Sequence, residues 1–344
     1  MDSSEARLRL QKMIDGGFQF SNVVAGISAG LFDAIARHGE NGVSVEALAG
    51  EMGYFPDYVR VWCETGFTIH VLDHAGDGRF RLAEGFENLL TTGGPGSFVP
   101  MFQVKEIAVE EMLEFPTFLR SGSVRTYQDH GERLSRPVAD LSGAVAADAI
   151  EHIYRGIPEV AERLRPGACL LEVGCGMGRV LSSLAKEFPG TTFVGVDCDG
   201  YSVERGQLEM ERNPMEKRVR LHKSGAESLD FHEEFDVVSL YLVMHELRAD
   251  LRPEAVRRMW QALKPGGMLV STDFYYPSRL EDFRQPEHRE AIADQAQEVV
   301  WGNRHLAREQ LAQLFAASGF DGSRFHVVYF PELPFPWLTT LAFK

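Results

Sequence analysis

No apolar run in the sequence approaches the roughly 18 residues that would span a bilayer. The opening stretch MDSSEARLRLQKMID mixes both signs of charge and lacks the apolar core of a signal peptide. No membrane partner is therefore expected, and a cytoplasmic location is. Cysteine is scarce. Cys63, Cys169, Cys175 and Cys198 are the four, and no two form a C-x-x-C pair. That excludes a zinc knuckle and a disulfide framework, and reduced thiols suit a cytosol. Positive charge is in short supply: 35 Lys and Arg face 50 Asp and Glu, for a formal charge of −15. Phosphate backbones and anionic lipid surfaces are bound by clustered Lys and Arg, so no nucleic acid is expected as a partner. Repeats and low-complexity segments are also missing.

The 344 residues, 44% of them hydrophobic, suffice for one large or two ordinary domains. Three regions separate by pattern. Residues 1–95 read as helices followed by a hairpin. SNVVAGISAGLFDAIARHG carries apolar residues at helical spacing, and SVEALAGEMG starts on a plausible cap at Ser44. FPDYVRVWCETGFTIHVL reads as another amphipathic helix, and DHAGDGRFRLAEG places an Asp-Gly turn between short strands. This order predicts a winged helix. Residues 1–90 hold seven Lys or Arg against thirteen Asp or Glu, and the candidate recognition helix offers Arg60 between Asp57 and Glu64. Such a helix repels DNA, so dimerisation or substrate covering is the better use. Residues 96–160 read as a helical linker or substrate cap, opening on the loop GGPGSFVP. Within it, SGSVRTYQDHG contributes Arg125, Tyr127 and His130. That stretch is either a polar linker or a lid that lends side chains to a pocket, Tyr127 among them.

From 161 to 344 strands and helices alternate, which predicts an α/β domain with a parallel sheet covered on both faces. The tail, SRFHVVYF and TTLAFK around a Pro-rich turn, predicts a terminal antiparallel hairpin. The strongest motif is LLEVGCGMGRVL, with Glu172, Gly174, Gly176 and Gly178 between a strand and a helix. Asp197 stands nineteen residues after Gly178, at the end of the next strand, where a carboxylate can take both hydroxyls of a ribose. A dinucleotide wants G-x-G-x-x-G. Here the third glycine is one residue early, and Glu172 would repel a pyrophosphate while suiting an ammonium and a sulfonium.

Glu172 with the three glycines resembles the E-x-G-x-G-x-G signature of class I S-adenosylmethionine-dependent methyltransferases. LKPGG at Leu263–Gly267 resembles the turn before that family's fifth strand. With the N-terminal region, the chain resembles small-molecule O-methyltransferases that form homodimers through a winged helix. The resemblance implies a Rossmann-like seven-stranded sheet, S-adenosylmethionine as cofactor, and a small-molecule acceptor. Cys198, Ala226, Glu227 and Leu242 would line the adenosine beside the glycines and Asp197. The family's Asp after the third strand is replaced by Gly225 in KSGAESL, which shifts that contact to Ala226 and Glu227.

SLYLVMHELRAD ends the fourth strand of this scheme in His245 and Glu246. The resemblance implies His245 as general base for O-methylation, with Glu246 or another carboxylate orienting it, although the family's His-Trp-Asp order is absent. Arg304 and His305, in VVWGNRHLAREQL, are further candidates: Arg304 to hold an acceptor carboxylate, His305 as a second base or a ligand. His245, His305 and Glu246 or Asp273 could form a two-His-one-carboxylate set, as in related C-methyltransferases acting on α-keto acids. No tight ligand spacing is visible, so no metal is expected. S-methylation of a thioether, which needs no base, and a non-catalytic regulator responsive to S-adenosylmethionine remain alternatives. His288 reads as a surface residue.

Overall fold

The computed structural model describes residues 2–94, 96–212, 217–329 and 336–344. The expected Pro-rich turn at 330–335 lies outside them, as do Met1, Pro95 in the loop GGPGSFVP and Asn213 at the end of an expected helix. The chain divides into two compact units, residues 1–107 and 108–344. The division falls inside a helix rather than at residue 95, because the polypeptide is continuously helical from Val99 to Ser121.

In the first unit, α1 (Ser3–Ser28) starts on Asp2, whose carboxylate accepts from the Ser4 and Glu5 amides in a capping box. The single helix expected around residues 21–39 is two. Gly30, at φ 68°, breaks α1 from α2 (Leu31–Ala36). The strand β1 (Val43–Ser44) leads into α3 (Val45–Met52), where Ser44 Oγ accepts from the Ala47 amide. Then come α4 (Pro56–Thr68), β2 (Leu72–His74) and β3 (Arg79–Leu82), in a three-stranded antiparallel sheet ordered β1-β3-β2. Phe32, Ile35, Leu48, Val59 and Leu72 fill its core.

Helix α5 (Val99–Ser121) crosses the division. The second unit continues with α6 (Glu132–Ala149), extended by a wider turn to Tyr154, and α7 (Pro158–Ala161). The strands are β4 (Cys169–Val173), β5 (Thr192–Asp197), β6 (Val219–Lys223), β7 (Phe235–Tyr241), β8 (Leu263–Phe274), β9 (Ser323–Tyr329) and β10 (Pro336–Phe343). Between them run α8 (Arg179–Glu187), α9 (Gly200–Arg212), α10 (Arg252–Ala262), α11 (Arg289–Glu298) and α12 (Arg308–Ala317). The sheet order is β6-β5-β4-β7-β8-β10-β9, with β4 through β8 parallel and β10 antiparallel to both of its neighbours. This is the α/β sheet with terminal hairpin that the sequence predicts. Alternate residues of each central strand enter separate cores. On β7, Val237 and Tyr241 face one core, and Val238 and Leu240 face the other. Both faces being covered makes the strands nearly continuous apolar runs. Strand β7 ends at Tyr241, so the segment from Leu242 to His245 is loop, held at the carboxyl edge of the sheet.

Candidate active site

The glycine loop leaves β4 and turns into α8. Gly174 and Cys175 donate to Val196 O at 2.8 and 3.1 Å, which holds the loop against the end of β5. The Gly176 amide donates to Asp197 Oδ2 at 2.7 Å, and the Asp199 amide donates to Oδ1 at 2.8 Å. Asp197 is thereby fixed at the rim, with its carboxyl pushed up by burial. Two glycines have distinct reasons. Gly178, at φ 74°, has Met210 and Leu221 where a side chain would stand. Gly176, at φ 51°, has open space within 4 Å of that position, so its backbone faces a crevice that a ligand can enter.

Glu172 is 2% exposed, and its Oε2 has no hydrogen-bond partner among the described residues. Burial, reinforced by Asp197, pushes its carboxyl up to about 8. A buried carboxyl without a donor suits an incoming cation. Together with the open space at Gly176, this fits the S-adenosylmethionine expected here. Cys198 is exposed and accepts from Gln128 Nε2 at 3.3 Å. Ala226 is buried and Glu227 half-buried in the turn after β6, with the Glu227 carboxylate folded back toward Gly225. Leu242 takes a left-handed φ of 58°, rare for a branched residue, and its amide donates to Thr272 O at 2.8 Å.

His245 is 4% exposed, and its Nδ1–H donates to Asp273 at 2.7 and 2.9 Å. Asp273, at the end of β8, also accepts the His245 amide at 3.1 Å and the Phe274 amide at 2.8 Å. Burial alone would lower the imidazole, but the Asp273 carboxylate overrides it and holds it at about 10. The orienting carboxylate is therefore Asp273 and not Glu246. Glu246 is half-buried beside the pair and pushed up to about 8 by burial, against the pull of His245. The His305 ring lies against His245, tilted by 34° with ring centroids 4.3 Å apart. Its Nε2 meets Asp294 Oδ2 at 3.0 Å, while its Nδ1 lies 3.6 Å from Asp273 Oδ1 with no hydrogen-bond partner among the described residues. Tyr276 covers the other face of His305 at 5.5 Å. The Arg304 side chain is exposed, and its amide donates to His245 O at 3.3 Å.

Sequence reasoning left Arg252, Asp294 and Glu298 unassigned, and it named Asp273 only as a possible ligand. Arg252, buried at the start of α10, donates to the carbonyls of His245, Leu247 and Arg304 and so ties the two histidine loops together. An arginine at the first turn of a helix, pointing backwards, gives no signal in a linear reading. His288 is 6% exposed, not a surface residue: its Nδ1 lies 2.9 Å from Tyr275 O, and its ring packs on Tyr275. Tyr127 is half-buried and meets Trp301 edge-on at 6.1 Å. Burial pushes its phenol well up, with Glu246 adding to the effect, which places it on the side of the carboxylates.

The glycine loop and the acidic ends of β4 and β5 meet at the carboxyl edge of an open, mostly parallel sheet. Residues 171–269 match the family model of a methyltransferase domain. Among curated relatives, sterol 24-C-methyltransferase of Yarrowia lipolytica is 32% identical over 133 residues, 37% of this chain and 32% of that protein. An uncharacterized protein of Haemophilus influenzae is 31% identical over 105 residues, 30% and 41% of the two chains. The chain thus spans under half the length of these relatives. Solved structures match over the whole fold. Human N-acetylserotonin methyltransferase in complex with SAM has a TM-score of 0.79 at 16% identity, covering 100% and 99% of the chains. PigF with SAH has 0.82 at 15%, covering 100% of both. Residues 171–269 thus match a methyltransferase domain, and the chain shares its fold with these solved proteins.

Proposed function

We propose that the chain transfers a methyl group from S-adenosylmethionine to a small molecule, with O-methylation as the main reading. The observation that carries this is the buried His245–Asp273 pair at the carboxyl edge of the sheet, beside the glycine loop. The cofactor supplies an electrophilic methyl on a sulfonium. Glu172, Gly176 and Asp197 would hold it, and the rim after β6 would take its base. Asp273 fixes Nδ1–H of His245 and leaves Nε2 for the acceptor. Because the pair holds His245 protonated up to about pH 10, only the neutral imidazole takes the acceptor proton, and turnover should rise with pH toward that value. Arg304, exposed at the same loop, is placed to meet a carboxylate. Exposed Leu8, Leu10, Met13, Ile14 and Phe18 on α1 support a homodimer through the N-terminal unit. A DNA-reading regulator is disfavoured because Arg60 is engaged by Glu46 at 2.5 Å. Methyl-labelled S-adenosylmethionine with a panel of phenols, keto acids and thioethers tests the reading. His245→Ala should keep S-adenosylhomocysteine binding and lose at least about 10²-fold in turnover; undiminished turnover would remove the base.

A second reading has a specific observation behind it. His245, Asp294 and His305 offer ligand atoms within 4.8 Å of one another, all buried, and His305 Nδ1, 3.6 Å from Asp273 Oδ1, has no hydrogen-bond partner among the described residues. Two imidazoles and a carboxylate suit a divalent transition metal, with Asp273 behind His245 as an outer carboxylate. Such an ion would polarise the carbonyl of an α-keto acid and favour C-methylation. Elemental analysis decides: stoichiometric iron or zinc, lost in His305→Ala, supports this reading, whereas a metal-free protein that methylates phenols rejects it.

A further inference from the structure

One buried carboxylate takes no part in the chemistry described so far. Glu111, on α5, is 2% exposed, and both of its oxygens are engaged. Oε1 meets His130 Nε2 at 2.8 Å and Arg125 Nη1 at 3.4 Å, and Oε2 accepts from Trp301 Nε1 at 2.7 Å. The donors come from two segments distant in sequence. Arg125 and His130 bracket Tyr127 in the turn before α6, and Trp301 lies just past α11, four residues before His305. Main chain repeats the link, since the Arg125 amide donates to Val300 O at 2.9 Å. His130 Nδ1 faces Thr126 O at 3.0 Å, so both ring nitrogens face acceptors.

The bracketed turn lies against the donor crevice. Gln128 reaches Cys198, next to Asp197. Ser135, at the start of α6, donates to Asp199 at 2.8 Å, on the loop after β5. The turn at the other end, 300–305, carries His305 against His245.

We infer that Glu111 is a positioning residue. It clasps the 125–130 turn over the donor crevice and, through Trp301, sets that turn in register with the loop carrying His305. This rests on the methyltransferase reading. Glu111 touches neither donor nor acceptor; it acts through Tyr127, Gln128 and the 300–305 turn. Loosening it should free the donor while leaving the sheet and the glycine loop intact.

The test uses Glu111→Gln and Trp301→Phe, which keep volume and remove the charge or the single indole N–H. Calorimetry with S-adenosylhomocysteine is paired with amide hydrogen exchange of residues 122–131 and 299–305 in the ligand-free protein. Each variant should weaken binding about tenfold or more, the scale of one unmade buried hydrogen bond. Both segments should exchange faster together, with β4 and β7 unchanged. The Michaelis constant for donor should rise more than turnover falls. Unchanged exchange and affinity in both variants overturn the role, and so does faster exchange spread over the whole sheet, which marks general destabilisation. If the wild-type protein binds no S-adenosylhomocysteine, the methyltransferase reading fails first and the positioning role falls with it, whatever the exchange shows.

Discussion

Glu172→Gln should make the ligand-free protein relatively more stable as pH rises, and make it a poorer binder of its donor. The carboxyl is buried with one oxygen unpartnered, and its pKa is pushed from 4.5 up to about 8, first by burial and then by Asp197. The sign follows from proton counting. Between those values the unfolded chain has released the proton and the native chain has kept it, so stability falls as pH rises. Each pH unit removes about 1.4 kcal/mol, which gives about 4 kcal/mol between pH 5 and pH 8. Glutamine has no such slope, and the constant cost of burying its amide cancels in the difference. The melting temperature of Glu172→Gln relative to wild type should therefore climb by about 8–15 °C from pH 5 to pH 8. Binding should show the opposite preference. A cationic donor meets a carboxylate in the wild type and a neutral amide in the variant, so donor affinity should rise with pH only in the wild type. Parallel melting curves across this range would refute the assignment of Glu172 as a buried neutral acid.

Gly176→Arg should abolish S-adenosylhomocysteine binding by calorimetry, because its side chain would fill the open space at the crevice. The left-handed φ strains any side chain there, so thermal melting of the variant accompanies the titration, and retained micromolar binding would sink the donor site. Asp197→Ala should do the same by freeing the Gly176 amide and removing the ribose partner, and an unaltered affinity would move the ribose elsewhere. Arg252→Met should lower turnover without changing donor affinity, since the three carbonyls it gathers belong to the histidine loops; a loss of donor affinity instead would show that these loops are not independent of the crevice.

The proposed donor half of the site is legible because its residues are local. Glu172, three glycines and the carboxylate after the next strand belong to one strand–turn–helix–strand unit. Linear spacing and backbone demand coincide there. The proposed acceptor half draws on the ends of β7 and β8 and on the turn after α11. Adjacency in sequence offers Glu246 or another carboxylate as the orienter of His245, and the left-handed Leu242 and the register of the sheet bring Asp273 to it. Pairing β7 with β8 in parallel, Ser239 beside Val270 and Tyr241 beside Thr272, brings these loops together. No periodicity in the sequence encodes that register directly. Helix α11 was missed for a related reason. Its buried face carries Asp294, Gln297 and Glu298 as well as Ala291, so an apolar stripe at helical spacing is not there to be read.

The buried polar face of α11 makes sense only with the histidines it meets, and Asp273→Asn tests that dependence. His245 is held at about 10 by Asp273 against the effect of burial, and Asp273 is held well below the usual carboxylate range by both histidines against its own burial. Breaking such a buried pair by neutralising one partner costs about 3–5 kcal/mol, because the remaining charge is left without compensation. His245 contributes stability that is fully present below its unfolded value near 6.5 and lost as pH rises toward 10. For Asp273, stability is present above its unfolded value and lost as pH falls. The wild-type pair therefore contributes most between about pH 4 and pH 6.5. Asparagine keeps the shape and one acceptor for Nδ1–H but not the charge. Its destabilisation, read by thermal unfolding, should be largest near pH 6 and shrink toward pH 10. Turnover should fall while S-adenosylhomocysteine binding is unchanged, since Asp273 does not touch the glycine loop. Equal destabilisation at pH 6 and pH 10 would mean that packing, not the ion pair, accounts for Asp273, and the carboxylates of α11 would then need another partner than the paired imidazoles.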